Sequence, residues 1–172
     1  FQPSRSLKRT LKQSPFHLTL DEHFEAVIAG CQQHRLEQGL GTWITQEMIT
    51  AYTHLFHAGE AHCIACFNQG RLVGGLYGVS VGNVFCGESM FSIESNASKI
   101  AFCHLVQTCR TLGVNLIDCQ MPNPHLLSLG AEVIPRAAFL HLLADRDDTP
   151  CAWPQHFGPL PIWDKGTGLK AP

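Results

Sequence analysis

Two carboxylates and one carboxamide stand where the chain turns from apolar to polar. Asp118 and Gln120 lie two residues apart at the end of the run Val114-Asn115-Leu116-Ile117, so on an extended strand both side chains project from one face and Cys119 from the other. An aspartate after such a run is costly to bury unpaired and belongs at the rim or with partners. Glu88 follows Val84-Phe85-Cys86-Gly87 and precedes Ser89-Met90-Phe91, which sets a carboxylate where a buried strand leaves the sheet, among large apolar groups. A site so composed takes an apolar side chain beside one carboxylate that can receive an amine or ordered amide hydrogens. Each acid also has a structural reading, Asp118 as a cap or loop-bonding residue and Glu88 as a rim residue above a Met and Phe core. Together the two segments suggest one pocket.

Other constellations point less clearly to chemistry. Cys63 and Cys66 sit three apart inside a strand pattern, on opposite faces, with no second pair at zinc-finger spacing, so no metal site is expected. His54, His57 and His62 lack a nearby acid that would complete a metal pattern. No spacing sets Cys86 or Cys119 beside His104 or His125, so a Cys-His nucleophile has no support beyond the residue types. The chain has 172 residues and 8 Cys; at that length a core forms without disulfides, and reduced, mostly buried thiols in a cytoplasmic protein are expected. With 12 Lys or Arg against 14 Asp or Glu and a net charge of −2, a uniformly polybasic binder is excluded, but a local basic patch is not. That patch is at the start. Arg5, Lys8, Arg9 and Lys12 recur at helical spacing with no acid in the first 20 residues, giving either a solvated face or a contact for backbone phosphates. The longest apolar runs are strand-length and contain glycine, so no membrane span is expected. Residue 1 is Phe rather than Met, no leader pattern precedes the fold, and the sequence is expected to begin inside a longer gene product.

The elements that must position these residues follow from periodicity. A short helix carries the basic face and stops at Pro15. Asp21 is read as the cap of a helix to about Gln38, and Thr45 as the cap of a second helix striped by Met48, Ile49, Tyr52, Leu55 and Phe56. Three strands, 61–67, 71–81 and 83–87, are separated by short turns and imply an antiparallel meander, with Gly74, Gly75 and Gly78 marking a bulge or a close approach. A helix capped by Asn96 or Ser95 runs over 98–112, a strand over 114–119, a short helix near 125–129, an edge strand over 132–134 and a last helix over 136–144. The order predicts an α/β domain with a mixed, largely antiparallel sheet and flanking helices. It spans residues 1–147. A Pro-rich tail, 148–172, is expected to pack on the surface with Trp153, Phe157 and Trp163 as anchors.

Taken in order and spacing, Gly41-Thr42-Trp43-Ile44-Thr45, Gly74-Gly75-Leu76-Tyr77-Gly78-Val79, Phe85-Cys86-Gly87-Glu88-Ser89-Met90-Phe91-Ser92, Asn96-Ala97-Ser98-Lys99, Leu116-Ile117-Asp118-Cys119-Gln120 and Ser128-Leu129-Gly130-Ala131 resemble the leucyl/phenylalanyl-tRNA–protein transferase family. The resemblance runs from about Ser4 to Phe139. It implies a Gcn5-related acetyltransferase-like fold, and transfer of Leu or Phe, with Met a further candidate, from aminoacyl-tRNA to the α-amino group of proteins that begin with Arg or Lys. Such tagging marks the acceptor for bacterial N-end rule degradation. A cytoplasmic monomer with no cofactor is implied. The resemblance also implies that relatives carry a smaller Trp- and Pro-rich N-terminal domain ahead of the point where this sequence begins.

By the same resemblance, Asp118, Gln120 and Glu88 are the catalytic residues: the Gln120 carbonyl receives a hydrogen from the attacking amine, Asp118 relays or takes up charge, and Glu88 orders the group. Trp43, Leu76, Phe85, Met90 and Leu105 are placed at the side-chain pocket. Arg5, Lys8, Arg9 and Lys12 are placed on the tRNA acceptor stem. Asn123 and His125, just past Gln120, are candidates for the amine entrance. Two other functions remain open at this level: a noncatalytic module that binds tRNA or a protein N-terminus, and an acetyl-coenzyme A-dependent N-acetyltransferase.

Overall fold

The computed structural model describes residue 1, residues 3–144, residue 149 and residues 151–153. The basic helix α1, Arg5–Gln13, starts where the Ser4 hydroxyl accepts the Leu7 amide hydrogen at 3.2 Å. Leu7 and Leu11 are buried beneath it, and Arg5, Lys8, Arg9 and Lys12 all face outward. Pro15 is followed by β1, His17–Leu20, an antiparallel edge strand that the periodicity did not mark. Four residues are too few to display alternation, and three of these four are buried.

Asp21 does not cap the next helix. Its backbone turns into the left-handed region, φ 53°, and its carboxylate points across to His62 and Cys63. One oxygen accepts the Cys63 amide hydrogen at 2.9 Å and the other lies 2.7 Å from His62 Nδ1. Those partners inside the sheet displace the capping role, and α2, Phe24–Glu37, begins at His23 without a side-chain cap. Thr45 does cap α3, Gln46–His57, through the Met48 amide.

The meander β2 (Ala61–Asn68), β3 (Arg71–Val81) and β4 (Val84–Ser92) forms the centre of a five-stranded sheet ordered β1-β2-β3-β4-β5. Helix α4, Ala97–Thr111, crosses over to β5, Leu116–Asp118, which pairs with β4 in parallel; all other pairings are antiparallel. The mixed, largely antiparallel sheet therefore forms as expected, with β1 added, β5 shorter than the expected 114–119, and one expected strand missing. Residues 132–134 are not a strand: Val133 is 73% exposed, Pro135 offers no amide hydrogen, and the stretch pairs with nothing in the sheet. Beyond β5 come α5, Pro124–Ser128, capped by Asn123, and α6, Arg136–Ala144.

Helices cover both faces. Ile64, Cys66, Leu76 and Phe85 pack with Ile100, Phe102 and Leu105 of α4, while Cys63, Ala65, Tyr77 and Phe91 pack with Phe24, Val27 and Ile28 of α2. Burial on both sides explains why β2 is buried continuously over its first six residues instead of alternating. Gly74 lets α4 approach, since a Cβ there would lie 2.6 Å from that of Ala97. The α4 start is held by Ser92, whose hydroxyl accepts the Ser98 amide hydrogen at 3.2 Å; Asn96, at φ 70°, gives no side-chain cap.

All eight cysteines are free thiols, five of them buried. Trp153 is buried, stacked on His62 with ring centres 4.0 Å apart, and its indole nitrogen donates to the Ser80 hydroxyl at 2.9 Å. Phe157 and Trp163, and residues 145–148 at the expected domain boundary, lie outside the described residues. Among the described residues no helix is long and apolar enough to cross a membrane.

Candidate active site

Strand β4 does not end at Gly87; it runs on to Ser92, and its register shifts on the way. Gly78 pairs with Gly87 but Tyr77 pairs with Ser89, so Glu88 is the extra residue of a β-bulge. A bulge redirects its side chain and locally breaks the ladder. Gly78 makes the bulge possible: a Cβ there would collide with the Cys86 carbonyl and lie 2.6 Å from the Phe85 ring. On the other edge of β4, pairing with β5 ends at Cys86–Asp118. The two strands then separate, and the gap is bridged by Gln120, whose Nε2 donates to the Gly87 carbonyl at 3.2 Å.

Gln120 is held in an unusual backbone conformation, φ 61°. Asp118 supports it, because its Oδ1 accepts the Gln120 amide hydrogen at 2.7 Å. The Gly87 carbonyl can only accept, so the side-chain NH2 of Gln120 must face it. That leaves Oε1, which accepts no hydrogen bond among the described residues.

Between the separating strands lies a cavity of about 310 Å³, within the size range of small-ligand sites. Leu76, Phe85, Met90 and Leu105 line it, joined by Phe102, and Glu88, Gln120, Asn123 and His125 supply polar groups. Four of the five residues placed at the side-chain pocket thus share one space with two of the three placed in catalysis and both placed at the amine entrance. Asp118 does not line this cavity. It lines a larger groove of about 950 Å³ whose wall shares Cys119, Gln120 and Met121 with the cavity. Trp43 does not line it either; it is 45% exposed and meets the cavity's surroundings through Tyr52, at a ring distance of 6.2 Å.

Tyr52 was legible only as part of an apolar stripe, yet it lies close enough to Glu88 to feel its charge. Partial burial, then Glu88, push the Tyr52 phenol up to about 12, so it stays protonated. Its ring packs edge-on against Tyr77, 5.3 Å away. The only sequence signal was a tyrosine in place of a plain apolar residue on that stripe.

The thiols near the cavity are poor nucleophiles. Burial, followed by the charge of Asp118, raises both Cys86 and Cys119 above the ordinary thiol range, which disfavours the reactive thiolate. His125 shifts the other way: burial, and then the positive charge of Lys99, lower it below the ordinary histidine range. Among the described residues no group of three or more His, Cys, Asp or Glu is arranged to hold a metal ion.

A family model described as leucyl/phenylalanyl-tRNA protein transferase matches residues 1–144. This chain belongs to that family. A transferase of this family from Shewanella sp. (strain MR-7) is 50% identical over 153 residues, covering 87% of this chain and 64% of that protein. Another, from Desulfatibacillum aliphaticivorans, is 52% identical over 143 residues, covering 83% of this chain and 61% of its own. The chain therefore spans a little under two thirds of the length of these relatives. Among solved structures, an aminoglycoside acetyltransferase from an uncultured soil metagenomic sample superposes with a TM-score of 0.54 at 8% identity, over 72% of this chain and 95% of that one. An acetyltransferase from Trypanosoma brucei does so with a TM-score of 0.51 at 13% identity, over 70% and 95%. At those identities the likeness is one of fold: this chain's five-stranded sheet is of the acetyltransferase type.

Proposed function

We propose that this chain transfers Leu or Phe, and Met as a further substrate, from aminoacyl-tRNA to the α-amino group of polypeptides that begin with Arg or Lys. The observation that carries the reading is the cavity in which an apolar slot, Leu76, Phe85, Met90 and Leu105, adjoins Glu88 and the free carbonyl oxygen of Gln120, in a chain of this family.

The aminoacyl ester is already activated, so the protein's task is to hold a neutral amine within about 3.5 Å of the ester carbonyl. Gln120 Oε1, with its NH2 group occupied by Gly87, accepts a hydrogen from that amine and aligns its lone pair with the carbonyl carbon. Asp118 keeps Gln120 in place through its backbone amide. Glu88, beside Tyr52, orders the α-amino group of the aminoacyl moiety. Selection against β-branched Val and Ile has to come from shape at the cavity entrance, because one methylene is worth only about 1–3 kcal/mol in an apolar pocket. The outward face of α1, Arg5, Lys8, Arg9 and Lys12, supplies phosphate contacts to the acceptor stem; such contacts set affinity and position, not the choice of amino acid.

The test offers Leu-tRNA, Phe-tRNA or Val-tRNA to peptides that begin with Arg, Lys or Ala and follows the mass of the peptide. Addition of Leu or Phe to Arg- and Lys-peptides supports the reading. Binding of tRNA with the ester left intact would replace it by a noncatalytic module, and acetylation from acetyl-coenzyme A by an N-acetyltransferase.

A further inference from the structure

Aminolysis of an ester must dispose of a proton. The attacking nitrogen sheds one as the C–N bond forms, and the departing ribose oxygen takes one up as the C–O bond breaks. Gln120 cannot carry it, since a carboxamide is neither a useful base nor a useful acid near neutral pH. Asp118, the acid nearest in sequence, is turned to the adjoining groove, and its Oδ1 already accepts the Gln120 amide hydrogen. The cavity wall nevertheless holds one titratable group suited to the task. His125 follows Pro124 in the first turn of α5, an orientation fixed by the Asn123 cap, whose Oδ1 accepts the Leu126 amide hydrogen at 2.9 Å. Its ring is half-buried and lines the same 310 Å³ space as Gln120 and Glu88. Neither ring nitrogen has a hydrogen-bond partner among the described residues.

We infer that His125 is a catalytic residue of the transfer reaction: its imidazole accepts the proton of the attacking α-amine and returns it to the departing ribose oxygen. The inference rests on the proposed aminoacyl transfer and adds the proton path to it. As the amine nitrogen bonds to the ester carbonyl carbon, its N–H proton passes to the free imidazole nitrogen. When the tetrahedral centre collapses, the C–O electron pair leaves with the ribose oxygen and the imidazolium protonates it. The protons balance, and no co-reactant is required.

The charged and titratable groups around the ring suit this cycle. Lys99 of α4 opposes its protonation, while Glu88 of β4, Arg35 of α2 and Cys119 beyond β5 share the cavity. Burial and Lys99 hold His125 below its ordinary range, so it is a neutral acceptor at pH 7, and the imidazolium, once formed, releases its proton readily.

The test compares wild-type chain with His125→Gln and His125→Ala, using Phe-tRNA and an Arg-starting peptide between pH 5 and 8.5. Loss of a general base lowers the rate about 10²–10⁴-fold, and that loss is expected in kcat, with KM for Phe-tRNA little changed. In the wild type, log kcat/KM for the peptide rises with slope 1 below the amine's own pKa, and steepens to 2 at pH values where His125 also becomes protonated. In both variants the slope is 1 throughout, and imidazole added to His125→Ala restores part of the rate. Transfer by His125→Gln within threefold of wild type, or a slope of 2 persisting in it, overturns the inference and leaves the transferase reading intact. No transfer by the wild type overturns both.

Discussion

The short bond between Asp118 and the Gln120 backbone sets a quantitative expectation. A non-glycine residue in the left-handed region costs roughly 1–2 kcal/mol, and Gln120 sits there at φ 61°. A hydrogen bond to a charged acceptor contributes about 1.5–3 kcal/mol, and Asp118 Oδ1 supplies one at 2.7 Å. The two nearly cancel, so the left-handed backbone turn that delivers the amide to the Gly87 carbonyl leans on that contact. Asp118→Ala removes about 2 kcal/mol of support, which lowers the ratio of competent to other loop conformations about 30-fold. Asp118→Asn keeps a neutral acceptor worth about half as much, for a loss of about fivefold. Single-turnover transfer from Phe-tRNA to an Arg-starting peptide should show this graded series in rate, while tRNA affinity, measured separately by filter binding, stays within twofold. If both variants instead fell equally and by more than about 10³-fold, the carboxylate would be acting on the reacting atoms, and its assignment as a support for Gln120 would be lost.

Three further outcomes follow from other contacts. Tyr52→Phe removes the hydroxyl beside Glu88 and should slow transfer severalfold with unchanged tRNA affinity; an unaltered rate would show that Glu88 does not need that neighbour. Gly78→Ala forces a methyl against the Cys86 carbonyl and the Phe85 ring and should cost about 1–3 kcal/mol, visible as a melting temperature lower by about 2–12 °C. Replacing Arg5, Lys8, Arg9 and Lys12 together by Ala should weaken tRNA binding and reduce the magnitude of its log–log salt slope by about 3; a slope equal to that of wild type in a salt-titrated binding series would move the phosphate contact elsewhere.

Much of the layout is legible in the sequence. Helix α1, the bounds of β3 and α6, the Thr45 cap and the meander follow from local periodicity and turn residues, and local signals are what sequence displays. The apolar lining Leu76, Phe85, Met90 and Leu105 came through resemblance, and these residues meet in one space because β3, β4 and α4 adjoin. What stayed hidden depends on partners distant in the chain. Spacing alone cannot reveal that Asp21 is drawn to His62 and Cys63, 41 and 42 residues away, instead of capping the helix beside it. Nor could strand alternation show that Glu88 is skipped by the register, or that Asp118 turns from the cavity while Gln120 bridges its edge. The short strand β1 and the unpaired stretch 132–134 failed for opposite reasons: one had a partner but no visible pattern, the other a β-branched pattern but no partner.

The stacking of Trp153 on His62 bears on where this folding unit stops. The family model matches only as far as residue 144, yet the indole nine positions later is 8% exposed and shares the α4-side core with Phe85, itself a wall of the cavity. A polypeptide cut at 144 would expose the imidazole of His62, leave the Ser80 hydroxyl without its donor, and strip one ring from behind Phe85. Shortening the far end of the chain would in this way loosen the binding slot from the rear, although no residue touching the slot had been changed.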